Sequence, residues 1–184
     1  MSEPPDLVGL DLVLGHGASG TAASMRAHVE GLAARGIRAL AIDLPKGRAE
    51  RAVPRFGDLL AAAPGLAVGG HSFGGRVASL AAAEACDAGR PPRALILLSY
   101  PLHAPGRPGD WDARTAHWPR LAACPVLLLT GESDPFVTLP LLRRAIAERL
   151  PQAVVHTYPR VQHGLAPVLD DALDRVAAFL REHP

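Results

Sequence analysis

The stretch GGHSFGG, residues Gly69–Gly75, carries the strongest structural signal in the chain. It follows the apolar residues of Leu66–Val68 and precedes the Ala-rich segment Arg76–Ala85, so it is expected to join a strand to a helix. In that setting a G-x-S-x-G sequence places its serine, here Ser72, on a sharp and strained turn above the sheet. Glycines flank the serine because side chains there would collide with the neighbouring strand and helix. The alternative is a Gly-rich turn with an incidental serine.

The rest of the chain repeats the same alternation of strand and helix. Apolar runs of strand length are mostly continuous, which is typical of parallel strands covered on both faces. Segments rich in Ala, Leu, Arg and Glu lie between them, and the alternation predicts one three-layer α/β domain over residues 1–184, with a mostly parallel sheet of about six strands. The predicted strands are Leu7–Leu14, Ile37–Leu44, Leu66–Gly70, Ala94–Tyr100, Pro125–Thr130 and Ala153–Tyr158. The predicted helices are Thr21–Arg35, Arg51–Ala62, Gly74–Ala88, Leu139–Leu150 and Val168–Arg181, with a shorter one at Asp112–Ala122.

Composition and charge exclude several classes of function. A formal net charge of +1 gives no electrostatic footprint for nucleic acid or for an anionic membrane surface. The N-terminal segment has no basic signal-peptide region, and no run reaches the roughly 18 apolar residues of a membrane helix. Cys86 and Cys124 lack C-x-x-C spacing and fit two reduced thiols. We therefore expect a cytoplasmic protein with no metal and no cofactor, and the sequence leaves its oligomeric state open.

A serine hydroxyl is a poor nucleophile unless a base takes its proton, so the chain should supply a histidine and an acid. The sequence LLLTGESDPF places Asp134 just beyond an apolar strand, and RVQHG places His163 between the last strand and the last helix. The order Ser72, Asp134, His163 is the order that a serine on a strand–turn–helix requires. Two alternatives stay open, because an Asp before Pro is also a common turn or capping residue, and because Asp110 and Asp112 could supply the acid instead.

The stretch LGHGASGT, Leu14–Thr21, has two interpretations. Its glycines spell G-x-G-x-x-G, which after a strand can bind the pyrophosphate of a dinucleotide, and Asp43 follows about 20 residues later, where a ribose-binding acid belongs. This interpretation would make the protein a dinucleotide-dependent oxidoreductase. The other interpretation is a His-Gly turn whose next backbone N–H, on Ala18 or secondarily Ser19, binds an oxyanion together with the N–H of Phe73. The bulky His16 favours the second interpretation, since it crowds a turn that the glycines are meant to keep narrow.

Five stretches together carry a family resemblance: LGHGASG, GGHSFGG, SYPLHAPGRP, LLLTGESDPF and VQHG. They resemble the α/β-hydrolase superfamily from about Leu7 to the last helix. More narrowly, YPLHAPGRP (Tyr100–Pro108) is similar to the small capless branch near dienelactone hydrolase, including the testis-expressed and chromatin-complex-subunit-like hydrolases. One departure matters, because dienelactone hydrolases use a cysteine where this chain has Ser72. The narrower family also includes non-catalytic subunits, so a catalytically silent interaction domain stays an alternative.

These residues predict a serine hydrolase that cleaves small carboxylic esters or thioesters through an acyl-enzyme. Ser72 would attack the carbonyl, His163 would act as general base and acid, and Asp134 would orient His163. No lid domain fits between Tyr100 and Trp118, so the site should be open and shallow. Its apolar wall is predicted to include Tyr100, Leu102, Trp111 and Phe136. Arg107 and Arg114 are candidates to hold a substrate carboxylate.

Overall fold

Six parallel strands form a single sheet in the computed structural model, which describes residues 7–184. The strands are β1 (Leu12–Gly15), β2 (Ala39–Ile42), β3 (Ala67–His71), β4 (Leu95–Leu98), β5 (Val126–Gly131) and β6 (Val154–Tyr158). They lie in the order β2-β1-β3-β4-β5-β6. The predicted strands are therefore confirmed in number and direction, and most are shorter than predicted; Leu7–Leu14, for example, begins as a turn and becomes a strand only at Leu12.

Helices cover both faces of the sheet. They are α1 (Arg26–Ala33), α2 (Val53–Ala62), α3 (Phe73–Asp87), α4 (Trp111–Thr115), α5 (Leu139–Arg149) and α6 (Leu169–Glu182). Alternate residues of β4 show how the layers divide: Leu95 and Leu97 pack with α2, α3 and α5, whereas Ile96 and Leu98 pack with α1 and α6. Burial on both faces explains why the strands read as continuous apolar runs, and it confirms the three-layer architecture.

The strand order places a crevice at one end of the sheet. β1 lies between β2 and β3, so the chain passes from β1 to β2 on one side of β1 and then returns across β1 to form β3 on its other side. At such a point the loops after the two central strands diverge, and in open α/β sheets ligands bind between them. The GHGASG turn follows β1 and the GGHSFGG turn ends β3, so both lie at this crevice.

The segment between β4 and β5 differs from the prediction. The expected helix Asp112–Ala122 is split into α4 and a 3-10 turn at Trp118–Leu121. Pro119 explains the break, because proline has no N–H with which to continue the hydrogen bonding of α4. Within residues 7–184 no lid domain covers the sheet, and no helix is long and apolar enough to cross a membrane.

Candidate active site

Ser72 occupies a strained turn between β3 and α3. Its φ of 51° and ψ of −110° lie in a region that residues with a side chain rarely adopt. The turn is held from below, because the Ser72 N–H donates to the carbonyl oxygen of Leu98 at 2.8 Å. The backbone therefore keeps the serine between the end of a strand and the start of a helix.

Glycines around Ser72 are required by close backbone approach. A Cβ atom on Gly70 would lie 2.5 Å from the carbonyl oxygen of Gly15, and one on Gly74 would lie 2.2 Å from the same oxygen. A Cβ on Gly69 would lie 2.3 Å from the carbonyl oxygen of Ile96. Such distances are too short for carbon next to oxygen, so only glycine lets β1, β3 and α3 pack this tightly.

A chain of hydrogen bonds runs from Ser72 through His163 to Asp134. His163 Nε2 lies 2.8 Å from Ser72 Oγ, and His163 Nδ1 lies 2.8 Å from Asp134 Oδ2. An ionised carboxylate only accepts hydrogen bonds, so Nδ1–H donates to Asp134 and leaves Nε2 free to accept the hydroxyl proton. This arrangement can activate a hydroxyl for attack on a carbonyl carbon.

Neighbouring groups hold the acid and the histidine in place. The Asp134 side chain has no solvent exposure, and its second oxygen accepts the N–H of Phe136 at 2.8 Å. The Phe136 ring lies against the imidazole of His163, with centroids 4.3 Å apart. On the other side, His71 Nε2 donates to the carbonyl oxygen of His163 at 3.0 Å. Burial lowers the pKa of His71, so this second imidazole stays neutral beside His163.

His16 organises the turn after β1. Its Nε2 accepts the N–H of Leu44 at 3.0 Å, so Nδ1 carries the proton and donates to the carbonyl oxygen of Gly17 at 2.8 Å. The imidazole is buried and tethers the start of the loop after β2 to the turn. It lies under the turn in a positioning role, which leaves Ala18 at the surface of the crevice.

The features that suggested a dinucleotide are engaged otherwise. A Cβ on Gly15 would meet the Cα of Gly74 at 3.0 Å, so the space over the first glycine is occupied by the serine turn. Asp43 accepts the N–H of Ala22 at 2.7 Å, at the start of a 3-10 turn. The first glycine therefore faces the serine turn, and one carboxylate oxygen of Asp43 is used by the backbone, which favours the interpretation of this stretch as a His-Gly turn.

Ser72 opens into a cleft of about 390 Å³. Ala18 and Phe73, the candidate oxyanion donors, and Phe136, a candidate wall residue, line it together with Ser72. Phe73 is the first residue of α3, and the first N–H groups of a helix have no partner within the helix. The amides of Phe73 and Ala18 can thus serve as donors to an oxygen held beside Ser72.

Three predicted wall residues do not reach this cleft, which corrects the sequence-based wall. Tyr100 and Leu102 are 1% and 0% exposed, and they pack in the core beneath the cleft's loop. Tyr100 also donates its hydroxyl to the carbonyl oxygen of Arg114 at 2.6 Å. The Trp111 ring packs beneath the guanidinium groups of Arg144 and Arg149. Of the four predicted wall residues, Phe136 alone lies at the cleft.

The structure also distinguishes between the two candidate loop arginines and between the candidate acids. Arg107 is 72% exposed and pairs with Asp110 at 3.0 Å, away from the cleft, whereas Arg114 lines it. Asp112 pairs with Arg149 and does not contact His163. The structure therefore places Asp134, and neither Asp110 nor Asp112, at His163.

Two arginines at the cleft were missed by the sequence analysis. Arg76 lies on the first turn of α3, and Arg48 lies in the loop before α2. Arg76 follows Ser72 by four residues, a spacing that places two residues on the same side of a helix and that could have identified it. Arg48 has no comparable local signal.

Comparison with known proteins agrees with the architecture. The family model described as an alpha/beta hydrolase domain matches residues 9–178. The structure is similar to that of a monoacylglycerol lipase from Paleococcus ferrophilus, with a TM-score of 0.77 and 15% identity over 94% of each chain. It is also similar to a pyrethroid hydrolase from Sphingobium faniae, with a TM-score of 0.69 and 19% identity over 94% of this chain and 97% of that one. No curated protein matches the sequence significantly.

Proposed function

The chain belongs to the alpha/beta hydrolase domain family, and on that premise we propose that it is a serine hydrolase of small carboxylic esters or thioesters. The observation that carries the proposal is the hydrogen-bonded chain Ser72–His163–Asp134, with both links at 2.8 Å. Fold alone does not specify a reaction, because this fold also hosts other chemistries. The proposal therefore rests on the site.

In the proposed reaction, Ser72 Oγ attacks the carbonyl carbon while His163 Nε2 takes the hydroxyl proton. The tetrahedral intermediate collapses to an acyl-enzyme, and His163 returns the proton to the leaving alcohol or thiol. Water then attacks the acyl carbon with His163 again as base, which releases the acid and restores Ser72. Asp134 holds the imidazole in the tautomer that both steps need and stabilises its charged form.

The oxyanion of the intermediate is proposed to lie between the N–H groups of Phe73 and Ala18. Removal of one such donor costs about 10²–10³ in kcat in well-studied enzymes. Both residues line the cleft with Ser72, which supports this assignment. Since the donors are backbone amides, side-chain substitution at either position does not remove them.

The shape of the cleft supports small substrates. It is an open cleft of about 390 Å³, and no lid covers it within the described residues. Each added methylene of a long acyl chain would stay partly wet and gain only a fraction of the roughly 0.8 kcal/mol of full burial.

We also propose that the protein belongs to the narrower branch that resembles dienelactone hydrolase and the testis-expressed hydrolases, and that it is cytoplasmic.

A serine-directed fluorophosphonate, followed by peptide mapping, tests the proposed function. We expect a single label on Ser72 in the native protein and none after heat denaturation, because only the native site activates the hydroxyl. A label that maps to another serine, or native protein that does not react, would overturn the proposal. A catalytically silent domain would give the second of these results.

A further inference from the structure

The cleft beside Ser72 carries an excess of positive charge. Its lining includes the side chains of Arg48, Arg76 and Arg114, and Glu50 is the one carboxylate among the described residues that line it. Arg76 donates to Glu50 Oε1 at 3.1 Å, so one positive charge is offset. A backbone hydrogen bond, and then Arg76, lower the pKa of Glu50, which keeps that carboxylate ionised. Two positive charges remain without a counter-charge at the cleft.

In the described part of the chain, Arg114 has no ion pair at the cleft, and Asp110, which pairs with Arg107, only partly offsets the effects that lower the pKa of Arg114. Its guanidinium donates to the carbonyl oxygen of Pro101 at 3.2 Å, and within residues 7–184 it has no carboxylate within ion-pair distance. Burial, and then the charge of Arg76, lower the pKa of Arg114. A partly buried cation next to another cation is unfavourable, and the attraction of an anion placed between them would compensate for the cost of burial and reduce the repulsion.

A second cleft, lined by His71 and by Gly164 next to His163, differs in its charge. It measures about 410 Å³ and contains no arginine, lysine or carboxylate in the part of the chain that the structure describes. Its lining includes Met25, Leu165 and Leu169, with the neutral His71 between it and His163. The cleft at Ser72 is thus cationic, whereas the cleft at His71 is uncharged.

We propose that the substrate is an ester or thioester that also bears a carboxylate. Arg114 and Arg76 bind this carboxylate in the cleft beside Ser72. The planar guanidinium groups match a carboxylate's two oxygens through paired N–H donors, which a lysine could not do. Arg48, which is exposed, adds to the field at the cleft mouth. This inference rests on the proposed function and specifies its substrate class.

Two pairs of esters test the inference. In the first pair, the 4-nitrophenyl monoester of adipic acid is compared with its methyl-capped diester, so the carboxylate lies on the acyl side. In the second pair, 4-acetoxybenzoate is compared with its methyl ester, so the carboxylate lies on the leaving group. We expect kcat/KM to favour the anion about tenfold in one pair, which identifies the side, and the preference to shrink in 0.5 M salt as screening increases. Subtraction of the Ser72→Ala rate removes uncatalysed hydrolysis.

Substitution of the arginines identifies the binding groups. Arg114→Gln and Arg76→Gln should each lower the anion-to-neutral ratio several-fold, and the double variant should bring it close to one. Arg107→Gln, a matched loop variant that lies outside the cleft, should keep the wild-type ratio. Equal kcat/KM for anion and neutral ester in both pairs, or a preference that survives in the double variant, would overturn the inference while leaving ester hydrolysis intact.

Binding to Ser72→Ala protein separates this inference from the proposed function. Calorimetric titration with the adipate monoester should give a dissociation constant several-fold lower than titration with the methyl-capped ester. That difference should vanish in the Ser72→Ala protein that also carries Arg114→Gln and Arg76→Gln. If wild-type protein hydrolyses neither ester, the proposed function fails; if Ser72→Ala protein binds both esters equally, the anion subsite fails.

Discussion

The turn after β1 and the turn after β3 contain the same residue types, a histidine, a serine and several glycines, but their glycines have different neighbours. In the turn after β3, Cβ atoms on Gly70 and Gly74 would meet backbone atoms of β1 at 2.5 and 2.2 Å. In the turn after β1, a Cβ on Gly17 would meet the His71 side chain at 3.1 Å, and one on Gly20 would meet the Ser24 hydroxyl at 2.6 Å. Side-chain ends can move, whereas packed strands cannot.

The histidines of the two turns also differ in what they serve. His16 accepts the N–H of Leu44 and tethers one loop to another, while His71 donates to the carbonyl oxygen of His163 and holds a proposed catalytic residue. The role of each turn therefore depends on the groups that contact its glycines and its histidine ring nitrogens, and not on its residue types alone. The turn whose glycines pack against the backbone of β1 is the one that holds Ser72 under strain.

The largest expected difference between the two regions is the effect of substituting a serine. Ser72→Ala should remove ester hydrolysis, with a loss that approaches about 10⁶ in kcat, because among residues 7–184 Ser72 supplies the hydroxyl that is hydrogen-bonded to His163 Nε2. Ser24, in the segment after the first turn, donates its hydroxyl to the local Thr21 carbonyl, and Ser24→Ala should change kcat by less than about twofold. Initial rates on an activated acetate ester check both. Retention of half the wild-type rate by Ser72→Ala would exclude it as the nucleophile.

The second prediction concerns which acid orients His163 beside Ser72. Asp134→Asn should lower kcat by about 10⁴, as in comparable triads, because the amide allows the imidazole to take the wrong tautomer. Partial recovery at high pH is expected, where hydroxide supplies the missing base. Asp110→Asn and Asp112→Asn, whose carboxylates pair with Arg107 and Arg149, should each cost less than about tenfold, or about 1.4 kcal/mol. A larger loss in either than in Asp134→Asn would reassign the acid.

Much of the fold could be predicted because the signals are local and redundant. Continuous apolar runs separated by Ala-rich segments predicted each strand of the sheet and all its covering helices except the split one at Asp112–Ala122. Ser72, Asp134 and His163 could be proposed because Ser72 directly follows β3, and Asp134 and His163 lie in the loops that follow β5 and β6. The carboxyl ends of parallel strands meet at one edge of the sheet, so residues far apart in sequence converge there.

The cleft wall could not be predicted because it depends on which way loop side chains turn. Tyr100 and Leu102 have the composition of a binding wall, but their side chains turn into the core that α3 and the sheet enclose. Arg76 looks like an ordinary solvated helix charge until the neighbouring loops enclose it with Arg114. The break before Pro119 could have been predicted, since proline lacks the N–H that would continue the helix.

Alanine at a glycine of each turn tests the contrast in packing. Gly74→Ala should destabilise the protein by about 3 kcal/mol or more, because its Cβ has nowhere to go against the Gly15 carbonyl and overpacking costs typically 1–3 kcal/mol even where neighbours can shift. Gly20→Ala should cost about 1 kcal/mol or less, since the Ser24 hydroxyl can rotate away. Urea unfolding measures both. Equal losses would show that the two turns tolerate side chains alike.

The fourth prediction concerns acid stability where the two turns meet. Burial, and then the neighbouring His71, lower the pKa of His28 to about 4, against about 6.5 in an unfolded chain. Between these values the unfolded state binds a proton that the folded state does not, so the free energy of unfolding falls as pH drops from 6.5 to 4. We expect His28 to account for about 1–2 kcal/mol of that loss. His28→Gln should flatten the pH dependence without abolishing it, because His117 shifts in the same direction, and an unchanged slope would contradict the assignment.

The last prediction is that dinucleotides have no effect on stability, and it tests whether the turn after β1 binds a dinucleotide. NAD, NADP and FAD should leave the melting temperature unchanged, because Gly74 fills the space over Gly15 and Asp43 is engaged with the Ala22 N–H. A dinucleotide present at 100 times its dissociation constant would add about 2.7 kcal/mol, which a thermal melt resolves easily. A covalent fluorophosphonate adduct provides the positive control, since its melting temperature should differ from that of the free protein. A clear rise with any of the three cofactors would mean that the glycines of GHGASG serve a pyrophosphate, and the two turns would then differ in ligand as well as in packing.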